Sequence, residues 1–521
     1  EIMSSDWSSD VCSSDLVQFI TDNGGGGLSS SVGESARFSN GARVELDQVP
    51  LKYEGLDQWE IWVSESQERM TVAVRPEDLD RFMHLSRKHA VESTVIGRYT
   101  DSGKLHITYD GQTCAYVDLD LLTAGFPQWQ FEACWRSPES RGLAEPALCP
   151  PGDYNALLLD LLGRPNICSR EWIYRQYDHE VQGGSVVKPL VGIERDVPGD
   201  AAVIRPRLGS NRGLAMAQAL NPAYSAIDAY HMTACTIDEA VRRLIAVGGD
   251  PDHLGGVDNF CWPNIQHHPR LNPDGDFKAA QLVRACRALR DMCLAYEVPL
   301  LSGKDSMYVD GNLPGRYGEI HKVSAPETLQ FTSIGVLEDV ERCMTLDAKV
   351  PGDLVYVLGP TRNELGASEY YELFGYTGRN VPRVVPEAFL PLYRQLASAI
   401  AAECTASVHG VYRGGLGVHL ALTAMAGGLG MKVHLDRVPV EGLESDDAVL
   451  FSESQGRFVV TVAPDRCETF ERFFRGFACE RIGEVTGDGR FEVFGRDGAR
   501  CIALSVAEMK LAWKTPFGHL V

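Results

Sequence analysis

This chain repeats itself at long range. Ser64-Glu65-Ser66-Gln67-Glu68-Arg69-Met70 returns as Ser452-Glu453-Ser454-Gln455-Gly456-Arg457-Phe458, an offset of 388 positions (65 to 453). The same offset carries Gly26-Gly27-Leu28 onto Gly414-Gly415-Leu416. With a small gap, Ile96-Gly97-Arg98-Tyr99-Thr100 falls on Ile482-Gly483-Glu484-Val485-Thr486. Solenoid repeats have periods of about 20–50 residues, so this one means duplicated domains: a module of roughly 150 residues occurs twice around a different one. Where the copies differ, one can keep chemistry that the other has lost.

At 521 residues the chain is too long for one core, and three domains are expected. The hydrophobic (44%) and charged (23%) fractions are those of an ordinary globular protein. A net charge of −22 argues against binding to nucleic acid or to an anionic membrane surface, so an anionic substrate needs local cations or a metal. The 14 cysteines form no C-x-x-C pair. They read as reduced thiols, mostly core filler, in a cytoplasmic protein. No apolar run approaches the ~20 residues of a membrane span, and there is no secretory signal.

Residues 1–16 hold a triplet Ser-Ser-Asp run without apolar period and are expected to be a non-native or disordered leader, the native chain beginning earlier. The first copy spans 17–127. Strand-like Val17–Thr21 leads into Asp22-Asn23-Gly24-Gly25-Gly26-Gly27 and a helix from Ser29. Residues 59–63 and 70–74 read as strands around a polar turn. Residues 128–168, rich in Pro, Cys and Gly, read as a linker. The middle module covers 169–345, with a helix over 278–296 set by Leu282, Cys286, Leu289, Cys293 and Tyr296. A strand over 298–302 follows, ending in a turn at Gly303-Lys304-Asp305-Ser306. The second copy covers 346–521. Helices alternate with β-branched strands, so the fold class is mixed α/β (α+β).

Five motifs now fall in one register: Ile20-Thr21-Asp22-Asn23-Gly24-Gly25-Gly26-Gly27-Leu28-Ser29, Ser64–Met70, Pro198-Gly199-Asp200-Ala201-Ala202-Val203, Val257-Asp258-Asn259-Phe260 and Leu301-Ser302-Gly303-Lys304-Asp305-Ser306. The chain resembles the phosphoribosylformylglycinamidine synthase family, in the superfamily of aminoimidazole ribonucleotide synthetase, from about residue 17 to the end. Members have modules in the order A1-B1-A2-B2, and this chain looks like B1-A2-B2. The resemblance implies ATP and Mg²⁺ as cofactors, and ammonia supplied by a separate glutaminase subunit or domain, since none follows Trp513. It implies that ATP phosphorylates the glycinamide carbonyl oxygen of formylglycinamide ribonucleotide and that ammonia then displaces phosphate to give the amidine. The chain would act as an incomplete copy, its catalytic histidine lying in the absent module.

The resemblance places a magnesium-binding carboxylate at Asp22, where the bland alternative is a helix cap after a glycine turn. It gives Glu65, Ser66 and Gln67 contact with the ribonucleotide; the second copy keeps the triad as Glu453-Ser454-Gln455, so part of the motif is open to a structural reading. Asp258 and Gly303 match ATP-contacting positions and Ser306 a substrate-contacting one. Lys304 stands where many members have an Asn metal ligand. A charged lysine cannot ligate magnesium, but it can neutralise phosphate.

Asp200 and Glu239 match ligands of an auxiliary magnesium–nucleotide site, Glu239 on a helix over 237–247. Here Arg243 replaces an expected Asn, and the partner loop reads His409-Gly410-Val411-Tyr412-Arg413-Gly414-Gly415, so the counterpart of Asp22 is Gly410. The auxiliary site is therefore expected to be degenerate and to bind no magnesium, with Arg243 and Arg413 pairing Asp200 and Glu239. His267 and His268 read as surface loop, and His231 gains no metal or base role, since no zinc spacing exists. The pairs Glu77-Asp78 and Asp446-Asp447 read as solvated.

Two rival readings stay open. One is another ATP-using superfamily member, such as a selenophosphate synthetase or thiamine-phosphate kinase relative. The other is a catalytically silent nucleotide-binding or assembly fragment. Without an A1 sheet to pair with, the A2 sheet is expected to expose an apolar face, so that the chain aggregates or forms a homodimer through A2.

Overall fold

The computed structural model describes residues 2–3, 16–124, 129–149, 151–176 and 179–520. The chain divides into two compact units, 1–130 and 131–521.

The first unit holds the first copy. Met70–Val74 pairs antiparallel with Val17–Asp22 on one side and with Ile2–Met3 on the other. A second sheet has the order Gly97–Tyr99, Ala42–Glu45, Lys104–Tyr109, Gln112–Asp118. Helix Leu28–Ser39 packs Leu28, Val32 and Ala36 against Val44, Leu46, Ile61, Leu105 and Ile107. Residues 58–63 form a helix, Gln58–Val63, not the strand expected from their aromatic and β-branched content. Asp57 and Glu60 make a capping box, with the Asp57 amide donating to Glu60 Oε2 at 2.8 Å, and that outweighs propensity in so short a segment.

The second copy shows what the first is built from. Its seven-stranded sheet runs Ser407–Gly410, Phe458–Val462, Leu354–Leu358, Cys479–Thr486, Gly430–His434, Arg490–Phe494, Arg500–Ser505. Removing the central strand Leu354–Leu358 leaves two sheets with the strand orders of the first unit. Ile2 opposite Thr71 and Met3 opposite Met70 occupy the rungs that Val357 and Leu358 occupy opposite Val459 and Phe458. The expected leader is thus not wholly outside the fold: Ile2–Met3 is a strand and Leu16 is buried. Residues 4–15, with the Ser-Ser-Asp run, lie outside the described residues.

The middle module is a six-stranded sheet in the order Leu300–Ser306, Leu254–Cys261, Thr328–Leu337, Gly213–Leu220, Ala202–Ile204, Ser185–Val187. Its burial alternates strictly along Thr328–Leu337. One face is covered by helices Ala229–Ala246 and Gly275–Ala295, while Ile204, Met216 and Leu220 are exposed, the latter two from the other face of their strand. Strand Leu300–Ser306 carries Gly303, Lys304, Asp305 and Ser306 inside it, in parallel register with Asp258–Cys261, so this segment is strand and not turn.

The linker region also needs correction. Helix Tyr154–Leu162 buries Leu157, Leu158, Leu161 and Leu162 in the main core, capped by Asp153 and tied to the last strand by the Ala503 amide donating to Asn155 at 2.7 Å. The buried pairs Leu157-Leu158 and Leu161-Leu162, four residues apart on one helix face, carried that signal in a Pro-rich stretch. The cysteines are less buried than core filler: Cys114, Cys134, Cys149 and Cys286 are exposed, and no disulfide forms among the described residues. No helix among them is long and apolar enough to cross a membrane.

Candidate functional site

The repeated motifs build a clamp between two loops. In the first copy the Gly26 amide donates to Glu65 Oε1 at 2.9 Å; in the second the Gly414 amide donates to Glu453 Oε1 at 2.8 Å. Gln67 donates back to the Glu65 carbonyl and Gln455 to that of Glu453, both at 2.9 Å. Arg69 and Arg457 close each loop on the carbonyls of Ser66 and Ser64, and of Ser454 and Ser452. Gly27 and Gly415 have φ of 62° and 74°, and a Cβ at Gly27 would lie 2.2 Å from the Ser64 carbonyl oxygen. Left-handed backbone and close approach together require glycine. The clamp is therefore a structural device shared by both copies.

What separates the copies is exposure. Glu65, Ser66 and Gln67 are open to solvent, whereas Glu453, Ser454 and Gln455 are at most 1% exposed. Asp22 ends its strand with Oδ1 accepting the Gly24 amide at 2.7 Å, and a Cβ at Gly24 would lie 2.6 Å from that oxygen, so a side chain there would displace the Asp22 carboxylate from this position. Gly24 and Gly25 leave the loop without side chains. In the second copy Tyr412 and Arg413 stand at those two positions and fill the equivalent space.

In the middle module Asp258 lies opposite Gly303, where a Cβ would sit 2.9 Å from Asp258 Oδ1. Burial, with Asp305 nearby, raises the Asp258 carboxyl above its ordinary range. Lys304 lies opposite Asn259 and Ser306 opposite Cys261, on the other face of the strand from Gly303. The expected nucleotide residues Asp258, Gly303 and Lys304 and the expected substrate residue Ser306 thus divide between the two faces of the sheet edge: Asp258 and Gly303 toward the helices, Lys304 and Ser306 toward the open side.

The auxiliary cluster is filled by side chains. Both Asp200 oxygens are used, accepting from His409 Nδ1 at 2.8 Å, the Gly410 amide at 3.0 Å and the Tyr412 hydroxyl at 2.6 Å. Burial opposes ionisation of Asp200, but His409 and Tyr412 hold its carboxyl below the usual range. Glu239 pairs with Arg243 at 2.7 Å and accepts from Asn221 at 3.1 Å. Arg413 does not reach Asp200 or Glu239 as expected; it pairs with Glu369, which also binds Arg164 and Asn166. Glu369 lies 44 residues from Arg413 in sequence, so the pairing is non-local. Arg243 lies over the Tyr412 ring at 4.1 Å.

Sequence reasoning missed Tyr412 as the space-filling residue, although its alignment with Gly24 signalled it. Asp447 is buried and accepts the Tyr370 hydroxyl at 2.7 Å, so it is not solvated. His267 and His268 are exposed. Among the described residues no three His, Cys, Asp or Glu side chains gather as a metal site.

Residues 8–110 and 350–496 match the family model for AIR synthase related protein, C-terminal domain, and residues 198–315 match that for the N-terminal domain. The first match begins inside the expected leader. The chain is 33% identical over 470 residues to phosphoribosylformylglycinamidine synthase subunit PurL of Thermococcus sibiricus, covering 90% of this chain and 61% of that one. It thus spans about three fifths of that relative's length. Thermotoga maritima PurL solved with ADP and with FGAR superposes with TM-scores of 0.58 and 0.57 at 21% identity, covering 92% of this chain and 65% and 63% of theirs. With two C-terminal-type domains flanking one N-terminal-type domain, the chain belongs to the AIR synthase related family and is similar to the PurL subunits of phosphoribosylformylglycinamidine synthase.

Proposed function

We propose that this chain takes part in the ATP-dependent conversion of formylglycinamide ribonucleotide and ammonia to formylglycinamidine ribonucleotide in purine biosynthesis. The γ-phosphoryl group passes to the amide oxygen of the substrate with release of ADP. Ammonia then adds at the same carbon and phosphate leaves. The observation that carries this reading is the asymmetry of the duplicated clamp: both copies share the loop-closing hydrogen bonds, but Glu453 and Gln455 are also bound by Tyr224 and Arg242, and the Asp22–Glu65–Gln67 surface is open only in the first copy. The likeness to PurL, and the ADP and FGAR bound by Thermotoga maritima PurL, supply the substrate class.

In this reading Glu65, Ser66, Gln67 and Ser306 contact the ribonucleotide, and Asp258, Gly303 and Lys304 the nucleotide. Asp22 fits magnesium as a single ligand. It is exposed, and magnesium commonly takes one or two carboxylates with water and substrate phosphate for the rest. When bound, the ion would neutralise phosphate charge. The glycines beside Asp22 keep side chains away from that ligand. In the middle module, Lys304 offers a point charge to the nucleotide's phosphates. A separate glutaminase supplies ammonia, and the open sheet face of the middle module pairs with a second copy.

The test is ADP release by the full chain with ATP, magnesium and ammonium, with and without formylglycinamide ribonucleotide. Substrate-dependent release is expected. Release independent of the ribonucleotide would transfer the reading to another ATP-using member of the family.

A further inference from the structure

A cavity of about 310 Å³ opens in the second unit, away from every residue assigned above. Its floor is Ile227 and Val381, and its wall carries His231, Arg379 and Arg383 from two separate elements. His231 lies in the first turn of helix Ala229–Ala246, and the two arginines lie in the segment before helix Pro386–Ala401.

One lining cation is left over once the acids are paired. Asp228 lines the cavity but is already neutralised by Arg284, whose Nε donates to it at 2.8 Å. Glu139 pairs with Arg379 across 3.9 Å, an exposed ion pair without a hydrogen bond and therefore weak. The Arg383 guanidinium and the ring nitrogens of His231 have no hydrogen-bond partner among the described residues. With Asp228 met by Arg284 and Glu139 by Arg379, the Arg383 guanidinium is a lining cation left without a partner among the described residues, in a chain of net charge −22.

The cavity is also rigidly framed. Glu145 accepts the amides of Arg379 and Asn380 at 2.7 and 2.6 Å and the Tyr371 hydroxyl at 3.0 Å. Trp135 stacks on Phe277 with centroids 5.5 Å apart, and Arg141 donates to the Ala226 carbonyl at 2.8 Å and to that of Ile227. The stretch expected as linker therefore holds both walls in place, as a binding site requires.

We propose that this cavity is a binding site for a small phosphate monoester, with the phosphate held by Arg379, Arg383 and His231. Two guanidinium forks and an imidazole N–H match the several oxygens of a phosphate, and Ile227 and Val381 give the rest of the ligand an apolar floor. The site is independent of the proposed synthase activity.

The probe is inorganic phosphate, titrated into full-length chain labelled at histidine Cε1 and followed by NMR, with the His231 signal identified by its loss in His231→Asn. A saturable shift of the His231 signal is expected, with affinity weakened at least tenfold in Arg383→Gln and in Arg379→Gln. Unchanged thermal unfolding of these surface variants shows that the loss is not one of fold. An unmoved His231 signal, an equal shift with chloride at matched ionic strength, or full phosphate affinity in both variants would overturn the proposal.

Discussion

Tyr412 donates its hydroxyl to Asp200 at 2.6 Å from the loop position that Gly24 holds in the first copy. One substitution thus converts an open glycine loop into a plugged one. The Tyr412 hydroxyl is buried, and its removal leaves a charged acceptor one bond short. Tyr412→Phe should lower stability by about 1.5–3 kcal/mol, the range for hydrogen bonds to charged groups. It should leave ADP release unchanged. Urea denaturation checks the first point and a coupled ADP assay the second; a fall in activity at full stability would give the second-copy loop a role in the chemistry.

Glu369 joins Arg413, Arg164 and Asn166 in one buried cluster. Burial opposes its charge, but Arg413 and Arg164 hold its folded-state value below 4.5. A depressed carboxyl contributes stability that is present above the unfolded value and is lost as pH falls through the folded one. The wild-type chain should therefore lose stability from about pH 4.5 downward, with Glu369 as a contributor. Glu369→Gln should cost about 3–5 kcal/mol at pH 7, because it leaves two buried cations short of a partner, and should flatten that part of the acid slope. Denaturation midpoints at pH 7 and pH 4 test both statements.

Gly97 and Gly483 explain why the Ile-Gly segment recurs. A Cβ would lie 2.1 Å from the Arg43 carbonyl oxygen at Gly97, and 2.0 Å from that of Lys432 at Gly483. Neither backbone can give way without breaking its strand pairing, Val44 with Gly97 and Val433 with Gly483. Gly97→Ala and Gly483→Ala should each destabilise their own module by more than about 3 kcal/mol, among the large single-residue effects. Hydrogen exchange resolved by peptide should show faster exchange in 16–124 for the first variant and in 354–505 for the second.

The duplication, the domain order and the helices Leu28–Ser39 and Gly275–Ala295 were legible because each rests on a pattern that sequence displays: repeated glycines at tight approaches, 3.6-residue periodicity, the shared Glu-Ser-Gln loop. Helix Gln58–Val63 was not, since Trp59, Ile61 and Val63 alternate like a strand and only the Asp57–Glu60 cap argues otherwise. Lys304 was legible as an unusual residue, but its place inside an edge strand depended on pairing with Asn259, a non-local contact. The partner of Arg413 was misread for the same reason: Glu369 lies 44 residues away and no local spacing connects them.

The proposed pairing of two copies would form on the open face of the middle sheet. Met216 and Leu220 alternate with buried Ala217 and Ala219 and are 47% and 50% exposed. A second copy pairing through this face would bury them. Light scattering should give twice the chain mass, and Met216→Lys with Leu220→Lys should return it to that of one chain with the fold retained. A single-chain mass for the unaltered protein would remove the pairing from the proposal.

In the proposed site Lys304 would meet the nucleotide's charge, at a position where many members of the family have an Asn metal ligand. It lies on the exposed edge strand beside Ser302 and Ser306, opposite Asn259, in a position where Met can replace its stem without disturbing a buried contact. A charge-assisted contact to phosphate contributes about 1.5–3 kcal/mol. Lys304→Met should therefore raise the Michaelis constant for ATP roughly tenfold or more, since 1.4 kcal/mol is a factor of ten. The denaturation midpoint should stay unchanged. If Lys304 met phosphate charge only in the transition state, kcat would fall while the Michaelis constant stayed constant. An unaltered Michaelis constant with unaltered kcat would remove Lys304 from the site and leave Asp258 and Gly303 as the nucleotide contacts on this strand pair.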